Sequence, residues 1–192
     1  MSFIAHETAV IDEGADIRGG TRIWHWSHVC SGAYVGYNVT IGQNVFIGKN
    51  ASVGDQCKIQ NNVSIFDKVT LERGVFCGPS MVFTNVKNPR ALIEKKNEFK
   101  ATYVEEGVSF GANSTIVCGN NIGKYALISA GAVVVSDVKA YALMVGVPAR
   151  QVGWVSEYGE KLNLPLTGNA VSYCKHTNEE YVLAGDFVTR VA

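Results

Sequence analysis

The sequence predicts an all-β fold, a parallel β-helix of six-residue repeats, on three observations. An apolar residue recurs at every sixth position, a small or β-branched residue usually stands two places before it, and glycine and asparagine gather in between. Neither the helical period of 3.6 nor the strand period of 2 generates a strict six, whereas short strands joined by tight corners do.

The first run of apolar positions reads Ile11, Ile17, Ile23, Val29, Val35, Ile41, Ile47, Val53, Ile59, Ile65, Leu71, Cys77 and Phe83. Its partners two places earlier include Ala9, Ala15, Thr21, Ser27, Ala33, Val39 and Ala51, with Met81 the one larger exception. Each hexad forms one side of a prism, and both positions point inward to stack on the next coil, roughly 4.8 Å away. Gly36, Gly42, Gly48, Gly54, Gly78, Gly111 and Gly123 follow the apolar position and are expected at corners whose backbone disfavours other residues. Asn38, Asn44, Asn50 and Asn62 are expected in the adjoining turns.

After Phe83 the phase slips by three, and a second run takes Phe110, Ile116, Ile122, Ile128 and Val134, broken only by Asn120 among its small partners. The polar segment between the runs predicts a loop leaving the prism over about 84–104, of a kind that commonly carries function. The repeats end near Gly146-Val147-Pro148-Ala149-Arg150, which sets a β-helix domain at 1–153 and a cap at 154–192. Within the cap, Trp154 to Leu164 predicts a short helix and Ser172 to Val191 a hairpin, together covering the open end of the core.

With 17 Lys+Arg against 17 Asp+Glu in 192 residues, the net charge of zero offers no basic footprint for nucleic acid and no polybasic patch for a membrane surface. No apolar run approaches the length of a membrane span, and no cationic leader with an apolar stretch opens the sequence, so the cytoplasm is the expected compartment. Five cysteines without a CxxC pair point to buried free thiols rather than a disulfide framework or zinc knuckle, and no metal is expected.

The repeats, the inserted loop, Gly131-Ala132-Val133-Val134-Val135-Ser136-Asp137-Val138 and the Gly146 to Arg150 terminator together resemble the hexapeptide-repeat acetyltransferases over nearly the whole chain. That resemblance, rather than the periodicity, implies a left-handed coil, since parallel crossovers are ordinarily right-handed. Gln60-Asn61-Asn62-Val63-Ser64, Phe76 to Asn85 and Ala149 to Trp154 are similar, more narrowly, to bacterial enzymes that acetylate the 3-amino group of UDP-2-acetamido-3-amino-2,3-dideoxyglucuronic acid for surface polysaccharide. The resemblance implies an acetyl-CoA-dependent N-acetyltransferase that works as a homotrimer, with active sites between neighbouring prisms. It further implies that the pantetheine arm meets Gly111, Ser129, Ala130 and Gly131, and that the nucleotide end of acetyl-CoA meets Pro148 and Arg150.

Acetyl transfer needs a neutral amine, a seat for the oxyanion and a proton acceptor, often histidine. Where many relatives carry that histidine at the loop entrance, this chain has Asn85, whose amide is no useful base near neutral pH. The expectation is that Asn85 orients the amine while the departing thiolate or water takes the proton. His25 and His28, in Trp24-His25-Trp26-Ser27-His28, are the rival proton acceptors or substrate contacts, with interface packing as the other reading. Gln60, Asn61 and Asn62 are candidates for hydroxyl or uracil recognition, Asp67 for the groove wall, and Lys87 and Arg90 for a diphosphate or carboxylate. Corner geometry and solvated charge account for the same residues equally well. Two other functions stay open: transfer to a different nucleotide-linked amino sugar, and a metal-dependent trimer of the carbonic anhydrase type, for which only His6, His25, His28 and His176 are at hand. A noncatalytic solenoid would bind no acetyl-CoA.

Overall fold

A computed structural model describes residues 2–191; Met1 and Ala192, the outer limits of the two expected domains, lie outside the described residues. Short strands, most of two residues and each followed by a turn, recur every six residues, and each pairs in parallel with its equivalent one coil, eighteen residues, on, as Thr40↔Lys58 and Ile41↔Ile59 do. The three resulting faces form a parallel β-solenoid, the left-handed hexapeptide β-helix expected from the sequence. Face one runs from Ile4–Ala5 to Ala142–Val145, face two from Val10–Ile11 to Val133–Val134, and face three from Asp16–Ile17 to Asn121–Ile122.

The second residue of each strand turns inward and the first outward, which is why one apolar residue per hexad suffices for the column. From Val29 to Val134 the inward positions are fully or almost fully buried, whereas Ile11 and Ile17 are only half-buried because no coil covers them. Thr21 and Ser27 fit the small inner position because their hydroxyls donate to the carbonyls of Gly36 and Gly42 and accept the N–H groups of Val39 and Val45. Buried hydroxyls paired in this way escape the cost of desolvation.

The corner glycines need a different explanation from the one their spacing suggested. Gly36, Gly42, Gly48, Gly54, Gly78, Gly111 and Gly123 do not have positive φ; a Cβ on Gly111 would instead stand 2.3 Å from the Ala130 nitrogen of the next coil, and one on Gly123 2.4 Å from that of Ala140. Close coil-to-coil approach excludes a side chain there. The left-handed seat of the corner falls further along, on Asn38 (φ 57°), Asn44 (φ 53°), Asn50 (φ 58°) and Asn62 (φ 62°), as expected of asparagine.

The loop leaves face two after Val82–Phe83 and the chain rejoins face three at Thr102–Val104, inside the expected loop of about 84–104, with Val104 inward in phase with the second run. Thirty-three positions rather than eighteen separate partners across it, as in Val82↔Thr115, and this net insertion of two and a half hexads is the source of the slip by three. The loop holds one short 3-10 turn, Lys96–Glu98, and Leu92 at its tip is 100% exposed.

The expected helix from Trp154 to Leu164 does not form. Arg150–Trp154 instead folds back antiparallel on Ala142–Val145, and a turn over Ser156 to Gly159 brings Val155 opposite Lys161. The fully buried Trp154 donates from its indole to the Pro165 carbonyl at 2.9 Å, which fixes the segment extended. Instead of a simple hairpin from Ser172, three antiparallel strands follow: Gly168–Tyr173, Glu180–Gly185 and Phe187–Arg190. Tyr181 packs edge-on against Tyr141 at 5.7 Å, and Asp186 pairs with Lys139, so this small sheet is fastened to the last coils.

Candidate active site

Each face is flanked by two columns of corners, and the sequence-predicted residues fall on the two columns that border face two. The corners between faces one and two carry Trp24-His25-Trp26, then Gln60-Asn61-Asn62, Gly111 and Ser129-Ala130-Gly131, with Pro148 past the last coil. The corners between faces two and three carry Asp12, Cys30, Asp67 and, at the root of the loop, Asn85. Outward residues of face two itself, Val10, His28, Phe46, Ser64, Val82, Thr115 and Val133, include no lysine, arginine or carboxylate.

Asn85 is half-buried, and its backbone carbonyl accepts the Lys100 N–H at 2.9 Å, closing the two ends of the loop. Thr84, beside it, accepts the Cys118 N–H through its hydroxyl, so the residue before Asn85 is pinned to the next coil. The side chain of Asn85 is thereby presented from a corner fixed at both sides. Asp67 lies one coil below on the same column, as the eighteen-residue spacing predicts. Lys87 and Arg90 extend into solvent; Arg90 reaches only the carbonyl of its neighbour Pro89, at 3.1 Å.

Asn61 and Asn62 prove to be corner residues in the first place. The Asn61 side-chain oxygen accepts the Gln43 N–H at 2.9 Å, and that of Asn62 accepts the Asn44 side-chain amide at 3.0 Å, which leaves their own NH₂ groups as donors. Gln60 is half-buried. His25 stacks on His6 with ring centroids 3.5 Å apart, and its Nδ1 is buried without a hydrogen-bond partner among the described residues. His28 sits against Asp12, Nε2 to Oδ1 at 3.0 Å; this hydrogen bond, aided by the Ser31 N–H and opposed by partial desolvation, holds the Asp12 carboxyl below its ordinary range. Both histidines lie three coils below the coil of Asn85, a separation of roughly 14 Å along the column. Neither can serve Asn85 within one chain.

Of the residues expected to meet acetyl-CoA, Ser129, Ala130 and Gly131 form an open corner: Gly131 has φ 69° and no atom within 4 Å of where a Cβ would stand. Gly111 lies beneath Ser129 and against the Ala130 nitrogen, and its contribution is to let that corner descend onto it. Pro148 is exposed on this side, but exposed Arg150 lines a cavity of about 200 Å³ with Ser136, Asp137, Lys139 and Gln151 near the other column. The two columns stand a full prism side apart, up to roughly 20 Å. No single prism brings the whole predicted set together. Asp12, which holds His28, was missed in the sequence, although its place sixteen residues before His28, one coil less two, was the available signal.

A parallel β-solenoid with an inserted corner loop and an open glycine corner defines a fold of the left-handed β-helix class. Residues 38–73 match the bacterial transferase hexapeptide model of six repeats, and residues 102–136 match the hexapeptide repeat of succinyl-transferase. The chain is 47% identical over 76 residues to dTDP-3-amino-3,6-dideoxy-alpha-D-galactopyranose 3-N-acetyltransferase of Aneurinibacillus thermoaerophilus, across 40% of this chain and 39% of that one. It is 33% identical over 88 residues to 2,3,4,5-tetrahydropyridine-2,6-dicarboxylate N-acetyltransferase of Staphylococcus aureus, across 46% and 34% of the two chains. The chain thus spans less than half the length of these curated relatives. A hexapeptide-repeat acetyltransferase of Vibrio cholerae, solved with acetyl coenzyme A, superposes with a TM-score of 0.57 at 25% identity over 65% of this chain and 72% of that one.

Proposed function

We propose that the protein is an acetyl-CoA-dependent N-acetyltransferase acting on the 3-amino group of a UDP-linked 2-acetamido-3-amino-2,3-dideoxyglucuronic acid, in surface polysaccharide synthesis in the cytoplasm. The observation that carries this reading is Asn85, held by Thr84 and Lys100 at the root of the loop, in a solenoid whose sequence relatives include a nucleotide-sugar 3-N-acetyltransferase. Among the described residues no helix is long and apolar enough to cross a membrane.

The two columns divide the labour. Acceptor recognition belongs to the N-terminal coils, through the free amide donors of Asn61 and Asn62, Gln60, His25 and His28, with Asp67 on the groove wall and Lys87 and Arg90 from the loop. The open corner at Ser129, Ala130 and Gly131 and the exposed Pro148 suit a pantetheine arm, and the Arg150 guanidinium suits phosphate oxygens. Acetyl-CoA supplies the acetyl group and a thiolate leaving group. Asn85 orients the amine through its side-chain oxygen, and the proton released as the amide forms passes to the departing thiolate or to water. An amine with pKa near about 7.7 to 8.0 is already partly neutral at pH 7, so orientation can carry much of the rate.

The active site forms between copies in a homotrimer, one copy's open corners facing its neighbour's Asn85 loop. The charge-free outer side of face two and the fully exposed Leu92 support such a contact. Acetyl transfer to another nucleotide-linked amino sugar is the second reading, favoured by the thymidine nucleotide in the name of the Aneurinibacillus relative.

The test is acetyl-CoA-dependent thiol release with the UDP-3-amino uronic acid and with a dTDP-3-amino-3,6-dideoxyhexose, alongside the mass of the assembly in solution. Turnover with the uronic acid alone, by a trimer, is expected. Preference for the dTDP sugar transfers the assignment to the second reading, and absence of turnover with both overturns the transferase.

A further inference from the structure

The two ends of the solenoid are finished differently. A three-stranded sheet and buried Trp154 close the C-terminal end, whereas at the N-terminal end the inward residues Ala5, Ile11 and Ile17 are only half-buried. Terminal repeats of a solenoid need a capping device, because their last inward residues have no further coil to lie against. Three side chains of different chemistry converge at that end: Asp12 from the first coil, and His28 and Cys30 from the second, with ligand atoms all within 4.8 Å of one another.

Their convergence follows from the coil. His28 is the outward residue of its strand and Cys30 opens the next corner, so a spacing of two puts both on the outside of the same column. Asp12 is at the corner directly below Cys30. Its Oδ2 accepts the Ser31 N–H at 3.3 Å, which directs Oδ1 to His28 Nε2 at 3.0 Å. The same Nε2 also faces Cys30 Sγ at 3.9 Å. A single ring nitrogen has one hydrogen or one lone pair and cannot satisfy both neighbours, whereas one cation between the three can. Phe46, edge-on to the imidazole at 5.9 Å, fixes the ring orientation.

We propose that Asp12, His28 and Cys30 form a three-ligand Zn²⁺ site that staples the first coil to the second and caps the N-terminal end of the solenoid. Sulfur, imidazole and one carboxylate are the donor set of zinc rather than of magnesium or calcium, and one water completes the tetrahedron. Cys30 binds as thiolate, releasing one proton to solvent for each ion taken up. The site is roughly 14 Å below the coil of Asn85, so the ion is structural: it holds His28 in place and enters none of the bond changes of acetyl transfer. Its ligands come from neighbouring coils, so the metal adds the crosslink that the exposed end lacks.

The test uses metal-stripped full-length protein titrated with Co²⁺ as the spectroscopic probe and with Zn²⁺ for hydrogen exchange. One Co²⁺ per chain is expected, with a thiolate-to-cobalt charge-transfer band and strong tetrahedral visible bands. The charge-transfer band disappears in Cys30→Ser, stoichiometric binding is lost in His28→Ala and Asp12→Asn, and Cys174→Ser leaves both unchanged. Zn²⁺ is expected to slow amide exchange in the first two coils of the wild type and not in the three ligand variants, whose circular dichroism shows them folded. Absence of binding by the wild type, a band that survives Cys30→Ser, or protection spread evenly over the chain overturns the proposal. None of these readouts depends on acetyl transfer, so the site and the transferase stand or fall separately.

Discussion

In the proposed reaction Asn85 stands where a base would be useful, and its amide offers only orientation. Asn85→Ala is therefore expected to lower kcat by about 10²-fold, the scale of a misplaced reactant, with little change in the acetyl-CoA KM. If no protein group takes the proton, log kcat in the wild type rises with pH only through the amine's own ionisation near about 8 and shows no second limb from a histidine. A pH profile of the wild type beside His25→Ala and His28→Ala checks this, and loss of a neutral limb in either variant contradicts it. A second residue-scale prediction concerns Cys174. Burial opposes its ionisation, but hydrogen bonds from Ser156, Thr177 and His176 outweigh it and bring the thiol from 9.0 down to about 7. A depressed acid adds stability that is fully present above its unfolded value and vanishes as pH falls through its folded one. Relative to Cys174→Ser, the wild type should gain at most roughly 2 to 3 kcal/mol between pH 7 and pH 9, read from denaturant midpoints.

Among the elements, the corners separate two kinds of glycine. Gly111→Ala would place a methyl 2.3 Å from the Ala130 nitrogen, so it should cost at least about 2 kcal/mol and open the coil beneath the cofactor corner. Gly131→Ala meets open space and should cost about 1 kcal/mol, for its φ of 69° alone. Thermal unfolding of the pair distinguishes steric from conformational need. The periodicity revealed the coils because each inward residue answers to one rule, repeated without tertiary exceptions. It could not show which corner position takes the left-handed seat and which faces the coil above, since glycine serves both. The cap misled for another reason. Trp154 to Leu164 carries apolar residues at helix-compatible spacing, yet its conformation is set by Trp154 reaching Pro165 and by pairing to the last coil, contacts absent from local sequence. Trp154→Ala should destabilise the fold by about 3 to 5 kcal/mol through the cavity it leaves, measured by chemical denaturation.

For the whole molecule, the candidate site was legible as a set of columns and illegible as an assembled pocket. Eighteen-residue spacing puts Asp67 under Asn85 and Gly111 under Ser129, but residues on opposite edges of face two meet only if another copy supplies one edge, and no pattern in one chain encodes that neighbour. The same spacing has a consequence for how such proteins change over generations. Because each strand pairs with the strand eighteen positions on, duplication of one full coil preserves every inward residue, corner and register, and lengthens the groove by a single step. An insertion of seventeen or nineteen would turn the following side chains inside out. Whole coils are therefore the unit of heritable length, while the Asn85 loop, which stands outside the register of the coils, can change in length and sequence without disturbing them.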